Sequence, residues 1–393
     1  MNAVPPSLRA QRGNLDAAAT TAGDVRQPAV VERLPVLVLR GSGYVGGELL
    51  RLLTTHPGLR PAAVLSDSNR GAAVEAIFPH LAGTLDGMTF VGREALPRVL
   101  REHPRLAVFA AAPHGTSAVM IAELFDEAAR AASDVVVVDL SGDFRFAEAA
   151  AFERVYGHPH GAPELLAGFL CAVPELATGS DLAGRAELAP GVPARAIAHP
   201  GCFTTAALLG AVPLLRAGLV EPSVTVVAVT GSTGAGRAPT ATTHHPQRRS
   251  TLFAYSPLAH RHQPEMEALA AGAGASASFH FVPQAGPFAR GIHATLVMRP
   301  KDGVTADDAR AALAGFYAGA PFVDVLGSPP RLQDVVGTNR CRLAVAADRE
   351  TLVVFSVIDN LVKGAAGGAI QWMNRLLNLP ETAGLLTPGL GWL

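Results

Sequence analysis

The chain has 393 residues, 49% of them apolar and 17% charged, which is enough for a large core and excludes general disorder. A formal net charge of −1 excludes the basic surface of a nucleic-acid binder or of a protein held on an anionic membrane. The three cysteines, Cys171, Cys202 and Cys341, form neither a disulfide framework nor a zinc spacing, and no run of about twenty apolar residues suggests a membrane span. The expectation is a cytoplasmic protein with usable thiols and no metal.

Residues 1–33 are rich in Ala, Pro, Arg and Gln and show no sustained period. They hold no apolar h-region, and Asp16, Asp24 and Glu32 speak against a transit peptide, so a poorly ordered extension is expected. Leu34–Leu39 is a short apolar run, as a buried parallel strand requires. It leads into Gly41-Ser42-Gly43-Tyr44-Val45-Gly46, followed by a helix with Leu49, Leu50, Leu52 and Leu53 that ends near His56-Pro57-Gly58. G-x-G-x-x-G is a weak pattern alone but a strong one between a strand and a helix. There Gly41 allows the turn, Gly43 lets backbone approach a pyrophosphate, Gly46 lets helix pack on strand, and the phosphates sit at the helix N-terminus. A glycine-rich turn without a ligand is the plain alternative.

The next strand, Ala62–Leu65, ends at Ser66-Asp67-Ser68-Asn69-Arg70, where an adenine ribose is read. Asp67 favours a free 2′-hydroxyl and hence NAD. Ser66, Ser68 and Arg70 favour a 2′-phosphate and tip the reading to NADP(H). Leu106–Ala112 and Val135–Leu140 continue the rhythm, the first passing through Pro113-His114-Gly115 into a helix around Ala118–Phe125. This is the pattern of an α/β, Rossmann-type doubly wound sheet, whose ligands lie outside the carboxyl ends of the strands. His114, Asp139, Ser141 and Arg145 fall at such ends. Asp143 and Arg145 suit either a local salt bridge or a rim that holds substrate or nicotinamide.

The centre of the chain is His199-Pro200-Gly201-Cys202-Phe203-Thr204-Thr205. Pro200 and Gly201 break what precedes them, and from Thr204 an apolar helical face runs through Leu215 to a stop at Gly218. A cysteine in the first turn of a helix meets unpaired N–H groups and the positive end of the helix dipole, so its pKa is expected below the ~8.5 of a free thiol. A small buried hydrophobe after a turn would look the same. Val224–Val229 leads into Thr230-Gly231-Ser232-Thr233-Gly234-Ala235-Gly236-Arg237, a loop able to approach a ligand with its backbone. In Ala259-His260-Arg261-His262-Gln263-Pro264-Glu265 the histidines suit general acid–base chemistry better than a metal, for which nothing at ligand spacing completes a set.

Phe279–Val282, His293–Met298 and the pair Arg342–Ala346 and Leu352–Ile358 predict an α+β domain with a largely antiparallel sheet and a hairpin. A partner subunit would cover the outer face of that sheet. Lys363-Gly364-Ala365-Ala366-Gly367-Gly368 opens a last helix, through Leu377. Three parts follow: an extension over 1–33; a cofactor domain over 34–198, completed by a C-terminal helix in 363–393; and a catalytic and oligomerisation domain over 199–362.

In this order, several blocks resemble those of the N-acetyl-γ-glutamyl-phosphate reductases, the arginine-biosynthesis branch of the semialdehyde-dehydrogenase group. They are Gly41 to Gly46 with Glu48-Leu49, Asp139-Leu140-Ser141-Gly142-Asp143-Phe144-Arg145, Pro174-Glu175-Leu176, Pro200-Gly201-Cys202, Ser232 to Arg237, His260 to Glu265, Arg290-Gly291-Ile292 and Ile358 to Gly367. The resemblance spans about residues 34 to 378. It implies a Cys202 nucleophile, a proton carrier at His260 with His262 as the alternative, NADP(H) as cofactor, a homodimer or homotetramer, and return of the C-terminal helix to the cofactor domain. The implied cofactor site comprises Gly41, Ser42, Gly43, Tyr44, Val45, Gly46, Ser66, Ser68, Arg70, His114, Gly234 and Asn360. Arg145, Arg237, Arg261 and Arg290 are expected on the substrate's anionic groups, with surface salt bridges as the plain alternative.

The implied reaction is reduction of an acyl phosphate through a cysteine thioester. The chain departs from the family at His199 (usually Asn), at Phe203-Thr204-Thr205 (usually an aromatic, Pro and Thr), at Cys171-Ala172-Val173 and at Gln284 (usually His). These departures leave an N-succinyl or carrier-linked glutamyl or aminoadipyl phosphate open as substrate. Aspartate-semialdehyde dehydrogenase and an NADP-binding redox sensor are the rival readings.

Overall fold

A computed structural model describes residues 32–177, 195–389 and 391. All but the last two residues of the expected 1–33 extension lie outside the described residues.

Among the described residues there are two seven-stranded sheets, and the first holds β1 (Leu34–Leu39), β2 (Leu59–Leu65), β3 (Phe90–Val91), β4 (Arg105–Ala110), β5 (Asp134–Asp139), β6 (Phe169–Cys171) and β7 (Arg195–Ala198). Its order is β3-β2-β1-β4-β5-β7-β6, and every pairing is parallel. Alternate residues of β1 enter opposite cores, because side chains on a strand point to opposite faces. Leu37 and Leu39 pack with Ile121, Leu124 and Phe125 of the helix Ser117–Ala131. Val36 and Val38 pack with Leu49, Leu50 and Leu53 of the helix Tyr44–Thr54. The latter core also takes Ile370, Trp372 and Met373 from the helix Gly367–Leu376, so the C-terminal helix lies on the first sheet. That helix ends at Leu376, with turns and coil beyond, rather than filling 363–393. It is preceded by a wide turn over Val362–Ala366, closed by the Gly364 N–H on the Asp359 carbonyl and the Ala366 N–H on that of Leu361.

The second sheet holds β8 (Val220–Thr230), β9 (Phe253–Ala254), β10 (Ser278–Ala285), β11 (Ile292–Pro300), β12 (Val323–Leu326), β13 (Cys341–Ala347) and β14 (Leu352–Ile358), in the order β12-β13-β14-β11-β8-β10-β9. β8 pairs with β10, and β12 with β13, in parallel, and the other pairings are antiparallel, including the expected β13–β14 hairpin. One face of the sheet buries the helix Cys202–Arg216, whose Gly210 brings it close to Leu296 and Val354. Pro213 lies inside this helix and cannot donate to the Leu209 carbonyl. The Tyr317 hydroxyl donates to that carbonyl instead, at 2.6 Å. On the other face Val227, Val229, Thr295, Val297, Val353 and Phe355 are only partly buried, a half-covered apolar surface.

Candidate active site

The carboxyl ends of β1, β4, β5 and β7 converge at one side of the first sheet, where an open α/β sheet binds its ligands. The Cys202 loop leaves the end of β7. His199 continues the strand by donating its N–H to the Asp139 carbonyl at 2.7 Å. Gly201 caps the helix, and Cys202 is the first helical residue. A side chain at Gly201 would strike the His262 ring, 2.5 Å from Nε2, and Arg145 Nη1 at 2.9 Å. The Glu265 carboxylate accepts the Gly201 N–H at 2.6 Å and Arg145 Nη1 at 3.1 Å. Arg145 also donates to the carbonyls of His199 and Leu140, at 3.2 and 3.1 Å. From the wide turn before the last helix, Gly364 comes so close that a Cβ there would lie 2.6 Å from that of Cys202.

A cleft of about 540 Å³ runs from the glycine turn to Cys202. Ser42, Gly43, Tyr44, Val45, Ser68, His114, Gly234 and Asn360 line it, whereas Gly41, Gly46, Ser66 and Arg70 do not. A Cβ on Gly41 would strike Val64 and one on Gly46 the Gly41 carbonyl, but one on Gly43 would meet nothing. The turn is therefore packed from behind and open where a pyrophosphate would lie, which fits a dinucleotide. Ser66 sits behind the cleft and holds Ser42 and Ser68, at 2.9 and 3.3 Å between hydroxyl oxygens. The expectation for Arg70 needs correction. It pairs with Glu94 at 2.9 Å in open solvent, while Asp67 accepts the Arg93 N–H at 3.0 Å through one oxygen and lies 3.9 Å from Arg40 through the other. Arg40 and Arg237 line this part of the cleft instead. Arg237 donates to the Ser42 carbonyl at 3.1 Å, which puts it at the glycine turn rather than with the substrate as expected.

On the far side of Cys202 lies a second pocket of about 440 Å³, lined by His260, Arg261, His262, Tyr255 and Arg248 among others. Arg261 and His262 line both spaces. The two imidazoles stand 4.7 Å apart between centroids, and His260 Nδ1 accepts the His262 N–H at 3.2 Å. Burial, with the Arg261 charge, lowers His260 to about 4, and burial lowers His262 well below its ordinary value. Both rings are neutral near pH 7.

Cys202 lies in both spaces with part of its surface exposed. Burial nevertheless pushes its thiol up to about 11, against the Arg145 charge and the Phe203 N–H, which favour the thiolate. This reverses the expected lowering. The helix terminus is present, but close packing by Gly201 and Gly364 removes the water that would solvate the anion. One further expectation changes, and one of two open alternatives falls. Arg290 lies away from both spaces, held by Asp359 at 3.1 Å and by Glu48 at 3.1 and 3.0 Å. Asp143 and Arg145 do not pair: the Asp143 carboxylate accepts the N–H groups of Gly115 and Ala118, at 2.6 and 2.9 Å. Among the described residues no group of three or more His, Cys, Asp or Glu could hold a metal ion, and no helix is long and apolar enough to cross a membrane.

Residues 35–169 match the family model described as semialdehyde dehydrogenase, NAD binding domain, and residues 202–360 match that described as semialdehyde dehydrogenase, dimerisation domain. An N-acetyl-gamma-glutamyl-phosphate reductase of Pseudomonas entomophila is 40% identical over 363 residues, 91% of this chain and 99% of the relative. A protein of the same name from Alkalilimnicola ehrlichii is 41% identical over 361 residues, 90% of this chain and 98% of the relative. The chain belongs to the semialdehyde dehydrogenase family, among the N-acetyl-γ-glutamyl-phosphate reductases. Aspartate semialdehyde dehydrogenase II of Vibrio cholerae superposes with a TM-score of 0.63 at 16% identity, over 88% of this chain and 99% of its own, so it shares the semialdehyde dehydrogenase fold. In this family member His199 is buried against Gly368, and burial, with the Arg145 and Lys363 charges, lowers it to about 3 against a contact with the Lys363 backbone.

Proposed function

We propose that the protein reduces N-acetyl-glutamyl 5-phosphate to N-acetyl-glutamate 5-semialdehyde and phosphate with NADPH, through a thioester on Cys202. One observation carries this reading: Cys202 stands where a cleft from an open glycine turn meets a pocket lined by arginines and histidines, and neither lining contains Asp or Glu. An anionic acyl phosphate suits the pocket, a dinucleotide suits the cleft, and the sulfur reaches both.

The resting thiol is neutral and so are the imidazoles beside it, so attack begins with proton transfer to a ring rather than from a stored thiolate. His260 is the proton carrier in this reading. With Nδ1 accepting the His262 N–H, the neutral resting ring carries its proton on Nε2, so His260 takes the thiol proton only after shifting to the Nδ1–H tautomer and releasing that hydrogen bond. His262, pressed on Gly201, positions the loop. Sulfur bonds to the γ-carbon, the bond from that carbon to the phosphate oxygen breaks, and phosphate leaves. N–H groups at the start of the helix, Phe203 first, stabilise charge on the carbonyl oxygen. Ser42, Gly43, Ser68 and Arg237 would hold the dinucleotide, which supplies hydride when bound. His260 then protonates the thiohemiacetal oxygen and takes that proton back as the carbon–sulfur bond breaks.

In this reading 34–198 with the segment from 363 forms the cofactor domain, 199–362 is catalytic, and the half-covered face of the second sheet joins two copies. The protein works in the cytoplasm, where its thiol stays reduced. Cys202→Ala tests the chemistry. It should abolish turnover of the acyl phosphate and leave NADPH binding within about twofold, and reductase activity surviving in that variant rules the covalent route out. Aspartyl phosphate, assayed beside the N-acetyl-glutamyl compound, should be the far poorer substrate.

A further inference from the structure

Resting on that reading, we propose that Arg248, in the pocket beyond Cys202, binds the α-carboxylate that the N-acyl amino acid keeps from substrate to product, while Arg261 receives the phosphate that leaves. Arg248 ends the short helix His245–Arg248 and lines the pocket. It is 9% exposed. Nη2 donates to the Thr230 carbonyl at 3.1 Å, and the guanidinium lies 5.8 Å from the centroid of the Phe253 ring. Nε is buried with no hydrogen-bond partner.

No described carboxylate forms a salt bridge with it, and none lines the pocket. The contrast lies in the same molecule: buried Arg145 has Glu265, and half-buried Arg290 has Glu48 and Asp359. A buried cation is ordinarily paired, and the group that pairs this one must enter with the ligand. Burial accordingly lowers its pKa, and only Tyr255 opposes that.

The two arginines differ in the property that sorts the two anions. Arg261 is exposed and lines both the pocket and the cleft, so a group held there can depart to solvent. Arg248 is enclosed on one side only, in the pocket, so a group held there stays while the thioester is reduced. A planar guanidinium meets a carboxylate through two parallel N–H donors.

The reverse reaction, semialdehyde plus phosphate with NADP⁺, separates the two anions because each has its own KM. In Arg248→Gln the KM for N-acetyl-glutamate 5-semialdehyde should rise at least 30-fold, with the KM for inorganic phosphate within twofold of wild type. Arg261→Gln should show the opposite split. Arg248→Lys, which keeps the charge and loses the fork, should raise the semialdehyde KM about tenfold, and it carries the test if Arg248→Gln does not fold. A higher phosphate KM in the Arg248 variants, or no change in either constant, overturns the assignment. Wild-type protein inactive on both substrates overturns the functional reading instead. The assignment is then decided by calorimetric titration of N-acetyl-glutamate, which should bind wild type and not Arg248→Gln. Equal binding, or none to wild type, overturns it.

Discussion

The Glu265 carboxylate accepts the Gly201 N–H across 64 positions of chain, at 2.6 Å. Through this bond the helix His262–Gly272 holds the loop of the cysteine, and the other oxygen of the same carboxylate holds Arg145. Glu265→Gln keeps an acceptor for Gly201 but places an N–H₂ or a neutral oxygen against a guanidinium buried with it. Breaking such a pair costs about 3 kcal/mol. Chemical denaturation should show that loss. Steady-state kinetics should show kcat down more than 100-fold with the KM for NADPH within threefold, and an unchanged kcat would remove Glu265 from the positioning of Cys202.

Two glycines of one motif should respond in opposite ways. A methyl at Gly43 enters open space, so Gly43→Ala should fold with wild-type stability while the KM for NADPH rises at least tenfold, because the methyl occupies the approach of the pyrophosphate. A methyl at Gly46 collides with the Gly41 carbonyl, so Gly46→Ala should lose stability before it loses affinity. Thermal melts with and without NADPH separate the two. If both variants melt like wild type and bind normally, the turn does not hold the cofactor.

The strands legible in the sequence were those bounded by breakers and long enough to show an apolar run. β1 and β14 match their expected limits, and β13 is one residue longer at each end. β3, β6, β7, β9 and β12 have two to four residues each, too few to show a period, and only pairing with neighbours makes them strands. The position of Cys202 at a helix start was legible because Pro200 and Gly201 are local signals. Its pKa was not, because Gly364 closes over it from 162 positions downstream, and burial is a tertiary property. The positions of Arg290 and Arg70, outside both spaces, were hidden for the same reason. They find Glu48 and Glu94, and Arg145, which does line the cleft, finds Glu265; no sequence pattern marks those partners. Nothing in His244-His245-Pro246-Gln247-Arg248-Arg249 shows which of two adjacent arginines is buried.

Arg290 joins the glycine-turn helix, through Glu48, to the end of β14, through Asp359. Glu48 is 5% and Asp359 0% exposed, and Arg290→Met leaves Glu48 with Arg51, at 2.7 Å, but Asp359 as a buried carboxylate with only the N–H groups of Gly337, Leu361 and Val362. The loss should be about 3 kcal/mol, the cost of leaving the Asp359 charge buried without a cation. The KM values for acyl phosphate and for phosphate should stay within twofold, because the side chain reaches neither the cleft nor the pocket. A tenfold rise in either constant, with stability unchanged, would restore Arg290 to the substrate site.

The pH dependence follows from which groups burial keeps neutral. With the Cys202 thiol at about 11, alkylation of the free enzyme by iodoacetamide should climb with pH through 9 and 10, and a plateau near pH 7 would mean a stored thiolate. On the acid side the signs differ between groups. His199 at about 3 and His260 at about 4 lie below the ordinary 6.5, so the unfolded chain binds more protons in between. Their stabilisation is complete above 6.5 and is lost as pH falls towards 3 to 4. Asp139, pushed up to about 6 by burial against hydrogen bonds from Ser117 and Ser141, acts the other way: its contribution is complete below 3.8 and is lost as pH rises through 6. The histidines, with His262 shifted in the same direction, outweigh the one carboxylate. Urea unfolding at pH 7.5 and 4.5 should therefore show a large loss on acidification. His199→Asn removes one titrating ring and should shrink that loss by about 3 kcal/mol, the work of protonating an imidazole across two pH units. An equal loss in the variant would mean that His199 is already charged in the fold, with an anion beside it.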